Sequence, residues 1–222
     1  MERFDYSQWI QKKPSFYSYT LYTPTLNEDL DKEEFIITSV EDYIKLDRFA
    51  KSVPVPKEMS DMNLSKVREF FGRLVSPRLV VEIGVMRYPG IQNTTQTVLE
   101  MKPDTCAYVG IDIEDRSYVK KYGTNIYTLQ IDSAKTSEIK EYLSRFNTPI
   151  DYLFIDGLHS IYQVGKEIDL ISLVRKGGII GFHDISVHTG PNAWMEAFDP
   201  EKFEIYKFHA EGDWGIGFLV VK

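Results

Sequence analysis

From residue 78 onward, apolar runs of about five or six residues recur, and each is followed or closed by an acidic residue. LVVEIG holds Glu82, YVGID Asp112, IYTLQID Asp132, YLFID Asp156 and GIIGFHD Asp184, at intervals of 20 to 30 residues. Between the runs lie stretches with helical spacing, such as AKTSEIKEYLSRF, where Ile139, Tyr142, Leu143 and Phe146 share a face. That rhythm predicts parallel β/α units. The strands are expected at 78–83, 107–112, 126–131, 151–155 and, after KGG, 178–183. Helices are expected at 92–102 and 160–175, the latter on Ile161, Val164, Ile168 and Ile171. An opening helix, SDMNLSKVREFFGRLV, carries Ser60 as its N-cap, with Leu64, Val67, Phe70, Phe71 and Leu74 on one face. FEIYKF and GIGFLVVK are joined by HAEGDW, too short for a crossover helix, and predict an antiparallel hairpin.

The fold class is therefore α/β: a Rossmann-like, seven-stranded, mostly parallel sheet with helices on both faces and a C-terminal antiparallel hairpin. Right-handed crossovers bring all parallel strand ends to one edge, where ligands bind. The five acids are thus expected to line one cleft. Residues 1–58 lack the rhythm. They hold Trp9, Phe16, Tyr17, Tyr19 and Tyr22, an acidic stretch NEDLDKEE, a helix-like SVEDYIKLDRF and a proline-rich break VPVPKE. We read 1–58 as an aromatic appendage, either covering one flank of the sheet or capping the substrate end of the cleft. Residues 59–222 form the main domain.

Composition narrows the class. The 222 residues are 43% hydrophobic, carry a formal net charge of −7, and contain one cysteine, Cys106. The acidic balance argues against a nucleic-acid backbone as partner, since that affinity needs clustered Lys and Arg. Neither a membrane-length apolar run nor an apolar signal core is present. With a single thiol this fits a reducing cytoplasm.

The first strand and turn read VVEIGVMRYPGIQNTT. Gly84 lets the backbone approach a ligand, and the next helix offers free N–H groups. The dinucleotide fingerprint G-x-G-x-x-G is absent, since Gly84 and Gly90 stand six apart. This longer loop suits a ligand without a pyrophosphate, and a carboxylate at Glu82 could attract a cation. Asp112 is placed to accept from two ribose hydroxyls.

The motifs VVEIG, VGIDIE, LQIDSA, DYLFIDGLHS and KGGIIGFHDI, in order and followed by the hairpin, make residues 78–222 resemble class I S-adenosylmethionine-dependent methyltransferases. The branch includes small-molecule and sugar O-methyltransferases and cephalosporin-hydroxylase-like proteins. The resemblance implies a cofactor site of Glu82 and Gly84 near the methionine part, Asp112 on the ribose, Asp132 and Ser133 beside the adenine, and Asp156 at the reacting end. The chain departs from the pattern where Val85-Met86-Arg87-Tyr88 replaces an early second glycine.

Methyl transfer to a hydroxyl needs alignment and loss of a proton. The resemblance implies His159, at its offset from Asp156, as general base, with Asp156 and Asp184 orienting the acceptor. A divalent cation, Mg²⁺ or Mn²⁺, would be held by Asp156, Asp184 and His183, with His183 replacing an acid. That replacement leaves Fe²⁺ and Zn²⁺ open. His183 is equally readable as a structural partner of Asp184. His188, in SVHTGPNAW, is expected on an exposed loop that could close over the substrate, and His209 receives no role. The expected partner is a small-molecule acceptor, with the N-terminal aromatics able to serve a homodimer contact. Two rivals stand beside a methyltransferase: a catalytically inactive binding module, and a hydroxylase-like relative using a bound metal. An NAD-dependent oxidoreductase is disfavoured by the missing glycine and the hairpin.

Overall fold

The computed structural model describes residues 59–86, 93–186, 188–209 and 213–222, with two short strands at 18–20 and 34–36. The strands β1 (Ser18–Thr20) and β2 (Glu34–Ile36) pair antiparallel with each other. The other N-terminal aromatics, the SVEDYIKLDRF helix and the VPVPKE break lie outside the described residues.

The main domain opens with α1 (Asp61–Phe71). The Ser60 side chain accepts from the Asn63 N–H at 3.1 Å, the expected N-cap. Then follow β3 (Leu79–Ile83), α2 (Thr94–Met101), β4 (Ala107–Asp112), a 3-10 turn at Ser117–Tyr122, β5 (Ile126–Gln130) and α3 (Thr136–Ser144). The second half has β6 (Ile150–Ile155), α4 (Ile161–Glu167), a 3-10 segment at Ile168–Leu173, β7 (Val174–His183), α5 (Thr189–Ala197), β8 (Phe203–Phe208) and β9 (Ile216–Val221). The seven strands run in the order β5-β4-β3-β6-β7-β9-β8. β3 pairs parallel with both β4 and β6, β4 with β5, and β6 with β7, while β9 is antiparallel to β7 and β8. The predicted sheet and its closing hairpin are both present.

Alternation within the strands divides the core. Val81, Ile83, Val109, Ile111, Leu153, Ile155, Ile180 and Phe182 meet Ile139, Leu143, Ile161 and Val164 of α3 and α4 on one face. Val80, Tyr108, Tyr152, Phe154 and Phe218 meet Val67, Phe70 and Phe71 of α1 and Val98 of α2 on the other. Because β4 lies to one side of β3 and β6 to the other, the chain reverses direction across the sheet at the C-terminal end of β3. That switch point is where α/β sheets form a crevice.

Three boundaries differ from expectation. The helix expected over 160–175 is α-helical only to Glu167, then narrows to a 3-10 turn. β7 begins at Val174, so KGG lies inside the strand, where its register against β6 shifts. A bulge absorbs the extra residues, and glycines suit it. The SVHTGPNAW segment, expected as a loop, begins α5 instead. Pro191 lies in the first turn, where its missing N–H costs no helical hydrogen bond.

Candidate functional site

All five predicted acids lie at the same edge of the sheet, at or just after the C-terminal ends of β3 to β7. Their surroundings differ. Glu82, one residue short of the end of β3, is enclosed on the α1/α2 face and accepts a hydrogen bond from the Tyr108 hydroxyl. Burial pushes its carboxyl up to about 8, against the opposing effect of the Tyr108 and Thr95 contacts, with Asp156 and Asp112 adding to the rise. Near neutral pH Glu82 is largely an uncharged acid, so the expectation of a cation-attracting carboxylate there is corrected. Gly84 has φ +77, and a Cβ on it would sit 1.8 Å from the Asp156 carbonyl oxygen. Its glycine is demanded by the close approach of the β3 and β6 ends.

The loop after Gly84 is pinned as far as it is described. The Val85 N–H donates to Asp112 Oδ2 at 3.0 Å and the Met86 N–H to Thr95 Oγ1 at 2.9 Å, while the Tyr118 hydroxyl donates to the Met86 carbonyl. Val85 and Met86 are buried, so side chains fill the space that a second glycine would leave open. Residues 87–90 lie outside the described residues. Asp112 also accepts from the Glu114 N–H at 2.9 Å and from Arg116 Nε at 3.0 Å. A carboxylate has about four acceptor positions. Three are therefore used by the protein itself, leaving room for one hydroxyl donor where two were expected.

Asp132 accepts from the Ala134 N–H at 2.9 Å and from Gln163 Nε2 at 3.3 Å. The Ser133 hydroxyl donates to Glu167 Oε1 at 2.6 Å and accepts from Gln163 Nε2 at 2.7 Å. Glu167 is fully buried at the end of α4. Burial raises its carboxyl to about 8, and its Oε2 has no hydrogen-bond partner among the described residues. Neither Glu167 nor Gln163 was singled out from sequence. The available signal was a charged residue three positions after Val164, on the apolar side of a helix.

The end of the crevice at Asp156 and Asp184 gathers more than the sequence indicated. His159 Nε2 lies 2.9 Å from Asp184 Oδ2 and 3.5 Å from Asp156 Oδ1. His183 Nδ1 lies 3.2 Å from Asp156 Oδ1 and 3.1 Å from Asp184 Oδ1. Asp184 itself sits at φ +60, a left-handed conformation uncommon outside glycine, and its carbonyl accepts the His188 N–H at 3.0 Å. This turn brings His188 onto His159, ring on ring at 4.4 Å, with Trp214 beyond it at 6.2 Å. The exposed loop histidine expected at 188 is thus corrected: His188 is buried, because α5 begins at the next residue. His209 contacts Ser186 Oγ at 2.7 Å, away from this group.

Electrostatics couple these groups. Burial opposes charge on His159 and His183, but the Asp184 and Asp156 carboxylates outweigh it and raise the rings to about 10 and about 9. Burial likewise opposes charge on Asp156 and Asp184, yet the imidazoles hold both below the ordinary carboxylate range. Burial and the neighbouring His159 charge lower His188 to about 3. A second layer acts on His183. Asn63 Nδ2 donates to Asp213 Oδ1 at 2.8 Å and faces His183 Nε2 at 3.4 Å. Asp213 also accepts the Gly215 N–H at 2.9 Å. Nδ1 carries a proton and donates it to Asp156, while the amide facing Nε2 opposes a second proton on the ring. His183 thus ties to Asp156, with Asp184 Oδ1 close but not hydrogen-bonded, and becomes a ligand at Nδ1 only by losing that proton.

The donor set fits a divalent cation. Asp156, His183 and Asp184 each offer one ligand atom, all within 4.8 Å of one another. The buried atoms Asp184 Oδ1 and His159 Nε2, although close to charged neighbours, form no hydrogen bond among the described residues. Close donors without hydrogen-bond alignment are what a coordinating centre leaves.

With this geometry in place, the comparisons give the class. Residues 81–185 match the family model described as a methyltransferase domain. Over those residues the chain is similar to that family, and it has the Rossmann-like fold that its motifs resemble. It is similar to the O-methyltransferase from Bacillus cereus in complex with SAH, at 17% identity over 84% of this chain and 93% of that one, with TM-score 0.57. CalS11, a TDP-rhamnose 3'-O-methyltransferase of calicheamicin biosynthesis, has 17% identity over 84% and 97%, with TM-score 0.55. MycE, a methyltransferase of the mycinamycin pathway in complex with Mg and SAH, has 18% identity over 71% of this chain, with TM-score 0.53. The match spans only 48% of MycE. At these identities the likeness establishes the fold. No curated protein matches the chain significantly.

Proposed function

We propose that this protein transfers a methyl group from S-adenosylmethionine to a hydroxyl oxygen of a small molecule, a sugar or glycosylated metabolite being the favoured class. The observation that carries the reading is His159 Nε2, held against Asp156 and Asp184 at the switch point of a methyltransferase sheet. The neighbours CalS11, which acts on TDP-rhamnose, and MycE, solved with Mg, SAH and mycinamycin VI, support the acceptor class.

In this reading Asp112 accepts a ribose hydroxyl, Asp132 and Ser133 lie beside the adenine, and Glu82 and Gly84 close the methionine end. S-adenosylmethionine supplies a sulfonium methyl open to in-line displacement. The protein's task is alignment, worth several orders of magnitude in rate. As the oxygen–methyl bond forms and the sulfur–methyl bond breaks, the hydroxyl proton passes to His159 Nε2. His159 can accept it only when unprotonated, and two bare carboxylates favour the protonated ring. Asp156 and Asp184, with His183 beside them, would hold a divalent ion, Mg²⁺ or Mn²⁺, which offsets their charge and lowers the pKa of a bound hydroxyl. Residues 1–58 form a cap near the acceptor end in this reading, supported by the closeness of β1 to α5. Among the described residues no helix is long and apolar enough to cross a membrane.

Calorimetric titration with S-adenosylmethionine and S-adenosylhomocysteine, with and without Mg²⁺, tests the cofactor. Micromolar binding of both is expected, and no binding of either would favour a non-catalytic binding module. His159→Ala should keep cofactor affinity and lose turnover. Equal loss of both would make His159 structural.

A further inference from the structure

The same strand edge presents a second set of donors that overlaps the first and adds His188, which the reading above leaves unused. His159, Asp184 and His188 each place one ligand atom within 4.8 Å of the others. We propose that these three residues bind a borderline divalent ion of the Zn²⁺ type, and that its binding withdraws His159 from proton transfer.

The chemistry of the two sets differs. Asp156, His183 and Asp184 offer two carboxylates and one ring, and the ring's Nδ1 lies within hydrogen-bond reach of Asp156. His159, Asp184 and His188 offer two imidazoles and one carboxylate. That composition suits zinc, cobalt or nickel, whereas magnesium prefers an all-oxygen shell with retained water.

Asp184 belongs to both sets and divides its oxygens between them. Its Oδ1 lies 3.1 Å from His183 Nδ1 and its Oδ2 lies 2.9 Å from His159 Nε2. His159 Nε2 makes no hydrogen bond among the described residues despite that proximity, so its ring nitrogen is close to the carboxylate without being aligned to it. Asp184 is fixed in a left-handed turn closed by the His188 N–H. His188 is buried and stacked on His159, so the stack must tilt open for both rings to direct a nitrogen at one ion. A nitrogen bound to the ion cannot accept the acceptor's proton. Oxygen-loving ions at the first set and nitrogen-loving ions at the second therefore act on the reaction in opposite directions. The inhibitory part rests on the methyl-transfer reading, whereas ion binding does not.

The test is competition for Zn²⁺ against a chromophoric chelator, using the full chain without cofactor. One Zn²⁺ per chain is expected. His188→Ala should weaken it about 100-fold or more, whereas His183→Gln should leave it nearly unchanged. The Co²⁺ form should show visible d–d bands that His188→Ala abolishes. Circular dichroism confirms that the variants fold. Should His188→Ala not fold, Zn²⁺-dependent shifts of the His159 and His188 ring signals in NMR spectra of the unaltered chain decide the question. Absence of Zn²⁺ binding, loss through His183→Gln but not His188→Ala, or an unshifted His188 ring signal would overturn the proposal. Zn²⁺ binding through His188 in a chain that never methylates would leave this site standing and remove the methyl-transfer reading.

Discussion

Asp151 and Asp156 stand near opposite ends of one strand, both close to charged neighbours, and they do different things. Asp151, near the start of β6, accepts the Arg78 and Leu79 N–H groups at 2.7 and 3.1 Å and pairs with Arg175 Nε at 2.5 Å. Its partners are two backbone amides and a guanidinium, none of which changes charge near neutral pH. Asp156, just past the other end, meets two imidazoles and a second carboxylate. Those partners exchange protons and can be exchanged for a cation. A buried acid whose partners are fixed donors ties strands together. One whose partners titrate is poised for chemistry. The contrast matches the architecture, since the C-terminal strand edge faces the crevice and the opposite edge does not.

Breaking the functional end should produce the largest effect. Asp156→Asn is expected to cut methyl transfer by about 10³-fold, as loss of an orienting group in a reaction centre does. Its unfolding free energy should fall by only about 1–2 kcal/mol, because relieving the repulsion from Asp184 offsets part of the lost contacts with the rings. Single-turnover rates and urea denaturation on the same variant separate the two quantities. A parallel fall in both would make Asp156 another Asp151. The converse substitution, Asp151→Ala, should cost about 3 kcal/mol of stability, since it strands Arg175, the buried Leu79 N–H and the half-buried Arg78 N–H. Cofactor affinity of the folded protein should not change. A selective loss of cofactor affinity at full stability would sink the comparison from the other side.

The sequence revealed the sheet more clearly than the site. Strand runs such as YLFID and LVVEIG are long, apolar and periodic, and parallel pairing then forces their terminal acids to one edge. Glu82, Asp112, Asp132, Asp156 and Asp184 were all legible for that reason. What stayed hidden depends on contacts between elements distant in the chain. His188 looked like a loop residue because Gly190 and Pro191 read as breakers, and nothing local shows that a left-handed Asp184 folds it back onto His159. Asn63 lies in the first helix, 120 residues before the ring it faces, and has no sequence signature. Arg116 occupies part of Asp112's acceptor capacity from an adjoining turn, which a strand-end motif does not reveal. Glu167 sat in view on an apolar helix face. It was passed over because a single charged residue in such a pattern ordinarily reaches solvent.

Glu167 lies between the two extremes and sharpens the comparison most finely. It is as buried as Asp151, but its partners are the side chains Ser133 and Gln163, and one oxygen has none among the described residues. Burial lifts its carboxyl from an ordinary 4.5 to about 8. In the unfolded chain the group ionises near 4.5, so between the two values the folded state holds a proton that the unfolded state has released. The stability it contributes is complete below about pH 4.5 and is lost as pH rises through about 8. Glu167→Gln keeps a neutral group of similar shape and cannot ionise. Its thermal stability should therefore decline less steeply between pH 5 and 8 than that of the unaltered chain, by about 3 kcal/mol across the interval. Glu82, raised in the same direction, leaves a residual slope in both proteins. Identical slopes would mean that Glu167 is ionised in the folded protein, with a charged or hydrogen-bonding partner at its second oxygen, and it would then join Asp156 as a group that works by its charge.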